Sequence, residues 1–143
     1  MKYLAIIMIL FSSINLFGQV RNFNDIPKDI LNQLDKMGVD GSTSLNSYES
    51  AYFNVVFKEN SKGFDFTEKK VGFIYSGARS NKKEYFDLEK DRFNRSNTPN
   101  GGTLYIFNDS QKEQSGGYDA AIVYWSKFLI PVEKVVKRLK EKR

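Results

Sequence analysis

The chain has 143 residues, with 22 basic and 17 acidic side chains and with neither cysteine nor histidine. Without these two residue types it cannot use a thiolate nucleophile, an imidazole general base or the usual zinc ligands. It also forms no disulfide, so the hydrophobic core alone must hold the fold. Any catalysis would depend on aspartate, glutamate, serine, tyrosine or lysine. Because no catalytic motif is present, we expect a protein that binds a partner, with no metal and no cofactor.

The N-terminal residues have the pattern of a secretory signal peptide. Lys2 gives a basic start, and residues 3–17 form a mostly apolar stretch, shorter than the about 20 residues of a membrane-spanning helix. We expect residues 1–18 to be removed by cleavage near Gly18 or Gln19. The exported chain, periplasmic or secreted, is then one domain over residues 19–143 with no transmembrane segment.

The positive charge is concentrated at the C-terminal end. Without Lys2 the expected exported chain has 21 basic and 17 acidic side chains, and residues 132–143 contain six of the basic and two of the acidic ones. The remaining residues are balanced, with 15 of each sign. The surplus therefore belongs to the last segment of the chain.

The first half of the chain predicts one helix and two strands. In residues 21–37, possible capping residues and Pro27 precede an apolar stripe at helical spacing, which predicts a helix that stops at Gly38. Residues 39–47 have the composition of a loop. Residues 50–57 and 71–75 are rich in β-formers and predict two strands.

The middle of the chain fits two types of secondary structure. Asn81 and Glu84 have the spacing of a capping box, which predicts a helix over residues 82–93. The alternation of polar and apolar residues from Tyr85 to Glu89 leaves a strand as the alternative. Residues 103–107 predict a third strand, between loops over residues 94–102 and 108–118.

The C-terminal residues predict a turn, a central strand and a final helix. Gly116 and Gly117 favour a tight turn, and residues 120–125 form an apolar run that requires cover on both faces of a sheet. Pro131 can open a helix with an apolar stripe that reaches Leu139. The predicted fold is a single α/β (α+β) domain of order αββαββα, with a mixed, roughly four-stranded sheet flanked by helices.

The first candidate site is the basic face of the last helix. Lys134, Lys137 and Arg138 lie opposite the apolar stripe on a helical wheel and could contact an anionic partner. Export makes nucleic acid an unsuitable partner and favours an anionic envelope polymer, a lipid surface or an acidic protein. The alternative is a solvated face, in which Glu133 pairs with Lys137.

The second candidate is the turn after the second predicted strand. A strand, a glycine-containing turn and a helix start can hold an anion, and Arg79, Lys82 and Lys83 would add positive charge. The glycine spacing of a nucleotide-binding loop is missing. The alternative is a structural turn.

Two sets of carboxylates complete the candidates. Asp87, Glu89 and Asp91 alternate as in a calcium loop, but Arg92 stands where that loop needs glycine, so we predict no metal site. Asp109, Glu113 and Asp119 surround the twin-glycine turn and define an alternative function, a carboxylate-dependent hydrolase.

The aromatic residues have two interpretations. The pairs Phe73/Tyr75 and Tyr105/Phe107 each share one face of a strand, and either build the core or form a stacking platform for a ligand. We interpret them as core residues. A third function, an inhibitor or immunity-type protein, would require an exposed apolar patch.

Overall fold

The computed structural model describes residues 25–124 and 128–141. The expected signal peptide lies outside the described residues, as does Trp125 at the end of the predicted central strand. In chain order the elements are α1 (Lys28–Asn32), a 3-10 turn (Leu34–Lys36), α2 (Ser47–Val56), β1 (Val71–Tyr75), β2 (Ala78–Ser80), α3 (Lys82–Ser96), β3 (Thr103–Ile106), α4 (Asp109–Ser115), β4 (Ala120–Tyr124) and α5 (Val132–Lys140).

The four strands form one mixed sheet in the order β2-β1-β4-β3. Strands β1 and β4 are parallel, whereas β2 pairs antiparallel with β1 and β3 pairs antiparallel with β4. All five residues of β4 are buried, and the strand has a neighbour on each side. The predicted four-stranded mixed sheet of an α+β domain, with the apolar strand at its centre, is therefore confirmed.

The sheet separates two hydrophobic clusters. Alternate residues of β4 enter them: Ile122 and Tyr124 face the larger cluster, while Ala121 and Val123 face the smaller one. Residues of α1, α2 and α3 complete the larger cluster, and α5 covers the smaller one with Val135 and Leu139. This double cover explains why the strand is apolar at every position.

Residues 50–56 belong to helix α2 and Phe57 caps its C-terminal end, so the strand predicted over residues 50–57 is wrong. A capping box starts the helix. The Asn46 side chain accepts a hydrogen bond from the backbone N–H of Glu49, and the Glu49 carboxylate accepts one from the backbone N–H of Asn46, both at 2.8 Å. Tyr52, Phe53 and Val56 then fall on one helical face and are buried. Their packing in the larger cluster outweighs their preference for strands.

Helix α3 confirms the helical prediction for residues 82–93, since Asn81 and Glu84 form the predicted capping box. The polar stretch after β3, predicted as a loop, instead contains helix α4. Asn108 and Gln111 form a third capping box, and Gly116 ends the helix at a φ of 91°. A short polar helix therefore joins the two antiparallel strands.

Gly72 in β1 sets how closely α5 approaches the sheet. A Cβ at this position would lie 2.5 Å from Cδ2 and 2.8 Å from Cδ1 of Leu139. The leucine side chain occupies the space that any other residue would need. Helix α5 is therefore seated directly on the backbone of a central strand.

Candidate binding surface

The basic side chains predicted on the last helix are exposed on α5. The helix uses Val135 and Leu139 to cover the smaller cluster. Lys134, Lys137 and Arg138 are all exposed. Since the apolar side of α5 is occupied by the domain's own core, only its basic side is available to a partner.

Two of these cations have no carboxylate partner within residues 25–124 and 128–141: neither Lys134 nor Lys137 forms a salt bridge there. In particular, Glu133 does not pair with Lys137, and Arg138 is 3.9 Å from a Glu141 oxygen. Other surface cations are closely paired with acidic side chains, namely Lys83, Lys90, Arg95 and Lys112. Exposed lysines elsewhere, such as Lys28 and Lys58, also have no salt bridge within the described ranges. The surface of α5 differs from them in carrying several basic side chains together on one helix face.

Arg79 of β2 lies beside the C-terminal end of α5. Its guanidinium donates to the Tyr118 hydroxyl at 2.7 Å and to the backbone carbonyl of Glu141 at 3.3 Å. It also lies over the Tyr118 ring, 5.8 Å from the ring centre. The side chain therefore braces the edge strand against the helix and adds positive charge to that end of α5.

Lys82 is buried, which contradicts its predicted place in an anion site. Its ammonium group contacts the Asp40 carboxylate at 2.8 Å, the Glu49 carboxylate at 2.9 Å and the Ser44 carbonyl at 2.8 Å. The side chains of Lys82 and Glu49 are both completely buried. The amine is thus enclosed by groups that satisfy it and is closed to an external anion.

Lys83 is exposed and pairs with Asp87 one helical turn later. Strand β2 stands between the turn after β1 and the start of α3, and it carries Arg79 to the opposite face of the sheet. The fold therefore sends Arg79, Lys82 and Lys83 to three different environments. It does not bring them together around the turn as the sequence suggested.

The carboxylates proposed for hydrolysis do not converge either. Asp109 and Glu113 are exposed on α4. Asp119 accepts from the Lys112 ammonium at 2.6 Å and from the backbone N–H of Lys70 at 2.8 Å. Burial alone would raise the pKa of Asp119, but these donors outweigh it and lower the pKa. Asp119 is thus a charged structural acceptor rather than a proton donor.

The three acidic residues predicted not to bind metal have separate partners. Asp87 pairs with lysines on α3, Asp91 pairs with Arg95, and Glu89 is buried. In the described ranges, no group of three acidic side chains is arranged to hold a metal ion.

Most of the paired aromatic residues pack against the clusters, which fits the core interpretation. Phe73 lies in the larger cluster, with its ring 5.3 Å from that of Tyr85. Tyr105 and Phe107 pack against the smaller cluster. Tyr75 is the exception at 39% exposure.

Tyr75 lines a pocket that sequence reasoning missed. The pocket has a volume of about 500 Å³, within the range of about 300–1,000 Å³ typical of small-molecule sites, and lies between β2 and the first half of α3. Leu88 adds apolar surface, and Glu84 and Asp87 add carboxylates. Arg79, a residue of the predicted anion site, also lines this pocket. No sequence motif marks this pocket, because the register of β2 against β1 creates it.

Both pocket carboxylates already have structural roles. Glu84 accepts from the backbone N–H of Asn81 at 3.1 Å as part of the capping box. Asp87 forms salt bridges with Lys83 and Lys90, and the hydrogen bond from Lys83 is the main cause that lowers its pKa. Both carboxylates are therefore engaged in contacts that hold the first half of α3.

A buried carboxylate joins α2, α3 and the loop before β3. Glu89 accepts from the Tyr52 hydroxyl and from the backbone N–H groups of Asn100 at 3.3 Å and Gly101 at 3.2 Å. Burial raises the pKa of Glu89, although these donors partly oppose the effect. The same burial raises the pKa of Tyr52. The cluster therefore holds two helices and a loop together inside the core.

Replacing Glu89 with glutamine should reveal this raised pKa. A carboxyl whose pKa is higher in the folded state stabilises the fold fully below its unfolded pKa, about 4.3, and loses that contribution as pH rises through the folded value. We expect the free energy of unfolding of Glu89→Gln, relative to wild type, to increase across this window and then level off. Urea unfolding at several pH values measures the difference. A constant difference, or one that falls with pH, would contradict the assignment.

Sheet, clusters and helices together define a small α+β domain in which α5 presents an exposed basic face. The chain belongs to the family described as a domain of unknown function (DUF8192), whose model matches residues 41–141. The match includes the whole sheet and helix α5. No curated protein and no solved structure matches the chain. Over residues 25–124 and 128–141, no helix has the length and apolar character needed to cross a membrane.

Proposed function

We propose that the chain is an exported binding module, periplasmic or secreted, that contacts an anionic partner of the cell envelope through the basic face of α5. Lys134, Lys137 and Arg138 form the contact, and the domain acts by binding rather than by catalysis. Arg79 lies next to this surface and contributes to its positive potential.

The observation that carries this proposal is the grouping of exposed basic side chains on one face of α5. Within the described ranges, Lys134 and Lys137 are exposed without a salt bridge, while their helix is fixed to the sheet by Leu139. Clustered charges on a rigid element attract anions without first breaking internal ion pairs. Such attraction is screened by salt over a distance of about 10 Å at 0.1 M ionic strength.

The alternative functions have less support. The predicted hydrolase would need two of Asp109, Glu113 and Asp119 around one pocket, but none of the three lines the pocket beside β2. The carboxylates that do line it, Glu84 and Asp87, are held in a capping box and in salt bridges. An inhibitor or immunity-type protein would need a broad apolar patch. The exposed large apolar side chains come instead from several parts of the chain, namely Val39, Tyr48, Tyr75, Ile106 and the adjacent pair Phe128 and Leu129.

Fractionation of cells that produce the protein tests the proposal. We expect the wild-type chain to sediment with the envelope at low salt and to be released at high salt. The variant Lys134→Gln/Lys137→Gln/Arg138→Gln should not sediment with the envelope at either salt concentration. Recovery of both proteins in the cytoplasm, or equal sedimentation of both at low salt, would contradict the proposal.

A second triple variant is the matched control for this experiment. Lys28→Gln/Lys58→Gln/Lys62→Gln removes three exposed positive charges from elsewhere on the domain. It should sediment as the wild type does, because it leaves α5 unchanged. If it is lost from the envelope to the same extent as the α5 variant, net charge alone governs binding and α5 is not the contact surface.

A further inference from the structure

Two exposed apolar residues directly precede the basic helix. Phe128 is 82% exposed and Leu129 is 59% exposed. Phenylalanine and leucine are among the residues most often buried in folded proteins, because water solvates their side chains poorly. Their adjacent exposure at the start of α5 therefore indicates a second contribution to binding beside the charges.

The segment is held in place by Tyr105 of β3. The Tyr105 hydroxyl donates to the Ile130 carbonyl at 2.8 Å and accepts from the Ile130 N–H at 3.1 Å. Ile130 itself packs against the smaller cluster. This clamp fixes the chain immediately after the apolar pair, so Phe128 and Leu129 occupy a defined position at the N-terminal end of α5.

Apolar and basic groups thus follow each other within a short stretch, residues 128–138. We propose, building on the function proposed above, that the anionic partner is the surface of a lipid bilayer. Phe128 and Leu129 enter the boundary between headgroups and acyl chains, while Lys134, Lys137 and Arg138 contact anionic headgroups. Combined apolar insertion and charge attraction is how peripheral proteins bind anionic membranes.

The packing of α5 defines how this contact forms. Its apolar side chains Val135 and Leu139 are buried in the domain, so the helix does not lay an apolar face into the lipid. Only the pair before the helix inserts. A soluble polyanion would contact the lysines equally well but would give Phe128 and Leu129 no apolar environment, which is why the bilayer fits both observations.

Vesicle sedimentation tests the charge part of the inference. The expected exported chain, residues 19–143, should bind vesicles made of phosphatidylglycerol and phosphatidylcholine, should not bind phosphatidylcholine alone, and should be released by salt. Phe128→Ser/Leu129→Ser should weaken vesicle binding at least about tenfold, because two large apolar side chains would no longer be transferred from water into the bilayer. Lys28→Gln/Lys58→Gln/Lys62→Gln should bind as the wild type does.

A fluorescent label tests insertion directly. Because the chain contains no cysteine, Leu129→Cys gives a single thiol that accepts an environment-sensitive dye. With phosphatidylglycerol vesicles its emission should shift to shorter wavelength, and the dye should be protected from iodide. The same dye on Lys58→Cys, which is exposed elsewhere, should show neither change.

The outcomes separate this inference from the proposed function. Insertion is overturned if Phe128→Ser/Leu129→Ser binds vesicles as tightly as the wild type and iodide still quenches the dye at position 129. That result leaves α5 as the anion-binding surface. Retention on dextran sulfate or an acidic peptide without binding to vesicles overturns the lipid partner alone. If the Lys134, Lys137 and Arg138 variant matches the wild type on every anionic probe, both proposals are overturned.

Discussion

Replacing Lys82 with methionine is expected to lower the free energy of unfolding by about 3–5 kcal/mol. Methionine keeps most of the aliphatic stem but removes the ammonium group that contacts Glu49 and Asp40. The carboxylate of Glu49 is completely buried and also accepts from the backbone N–H of Gly38 at 2.6 Å. Its charge would then remain in the interior without a counter-charge.

Lys83 provides the matched control, because it is the next residue of the same helix. Its salt bridge with Asp87 joins two side chains that are 56% and 45% exposed. Such a pair contributes only about 0–1 kcal/mol, so Lys83→Met should have a small effect in the same urea titration. An equally small effect for Lys82→Met would show that Glu49 does not depend on this lysine.

Replacing Gly72 with alanine is expected to destabilise the domain by about 1–3 kcal/mol. The added methyl group would meet the Leu139 side chain at 2.5 Å, and Leu139 is only 1% exposed. Because the leucine is enclosed, it can move away only by displacing α5 or its own neighbours. The free energy of unfolding, measured by urea denaturation, reports this cost.

A second substitution tests whether the clash is the cause. Leu139→Ala alone should cost about 2–5 kcal/mol, because it leaves a cavity. In Gly72→Ala/Leu139→Ala the new methyl group has room. The double variant should therefore lose less free energy of unfolding than the sum of the losses of the two single variants. Strictly additive costs would mean that Gly72 does not set the distance between α5 and β1.

The sheet and its last helix were predictable because their signals are local. The apolar run of residues 120–124 required cover on both faces, and the spacing from Val132 to Leu139 placed Lys134 and Lys137 on the outside. Helix α2 was missed because Tyr52 and Phe53 favour strands in isolation, although Asn46 and Glu49 carry the same capping signal that identified α3. The capping signal of Asn108 and Gln111 was missed for a different reason: residues 108–118 are polar and contain two glycines, a composition typical of a loop.

The environment of the site residues was harder to predict, because it depends on contacts between distant segments. Lysine is usually exposed in folded proteins, and only the fold brings Glu49 of α2 to the ammonium group of Lys82. Arg79 reaches Tyr118 because the short strand β2 turns it toward α5. The clamp between Tyr105 and Ile130 likewise joins segments that are distant in sequence, and no motif marks it.

Amide chemical-shift mapping tests most directly whether α5 is the anion-binding surface. The labelled protein would be titrated with inorganic tripolyphosphate at low salt, and the spectra repeated at high salt. The account predicts that the largest shifts fall on residues 132–141 and on Arg79, and that high salt abolishes them. Shifts concentrated at Lys83 and Asp87 beside the β2 pocket, or no saturable shifts on α5, would contradict it.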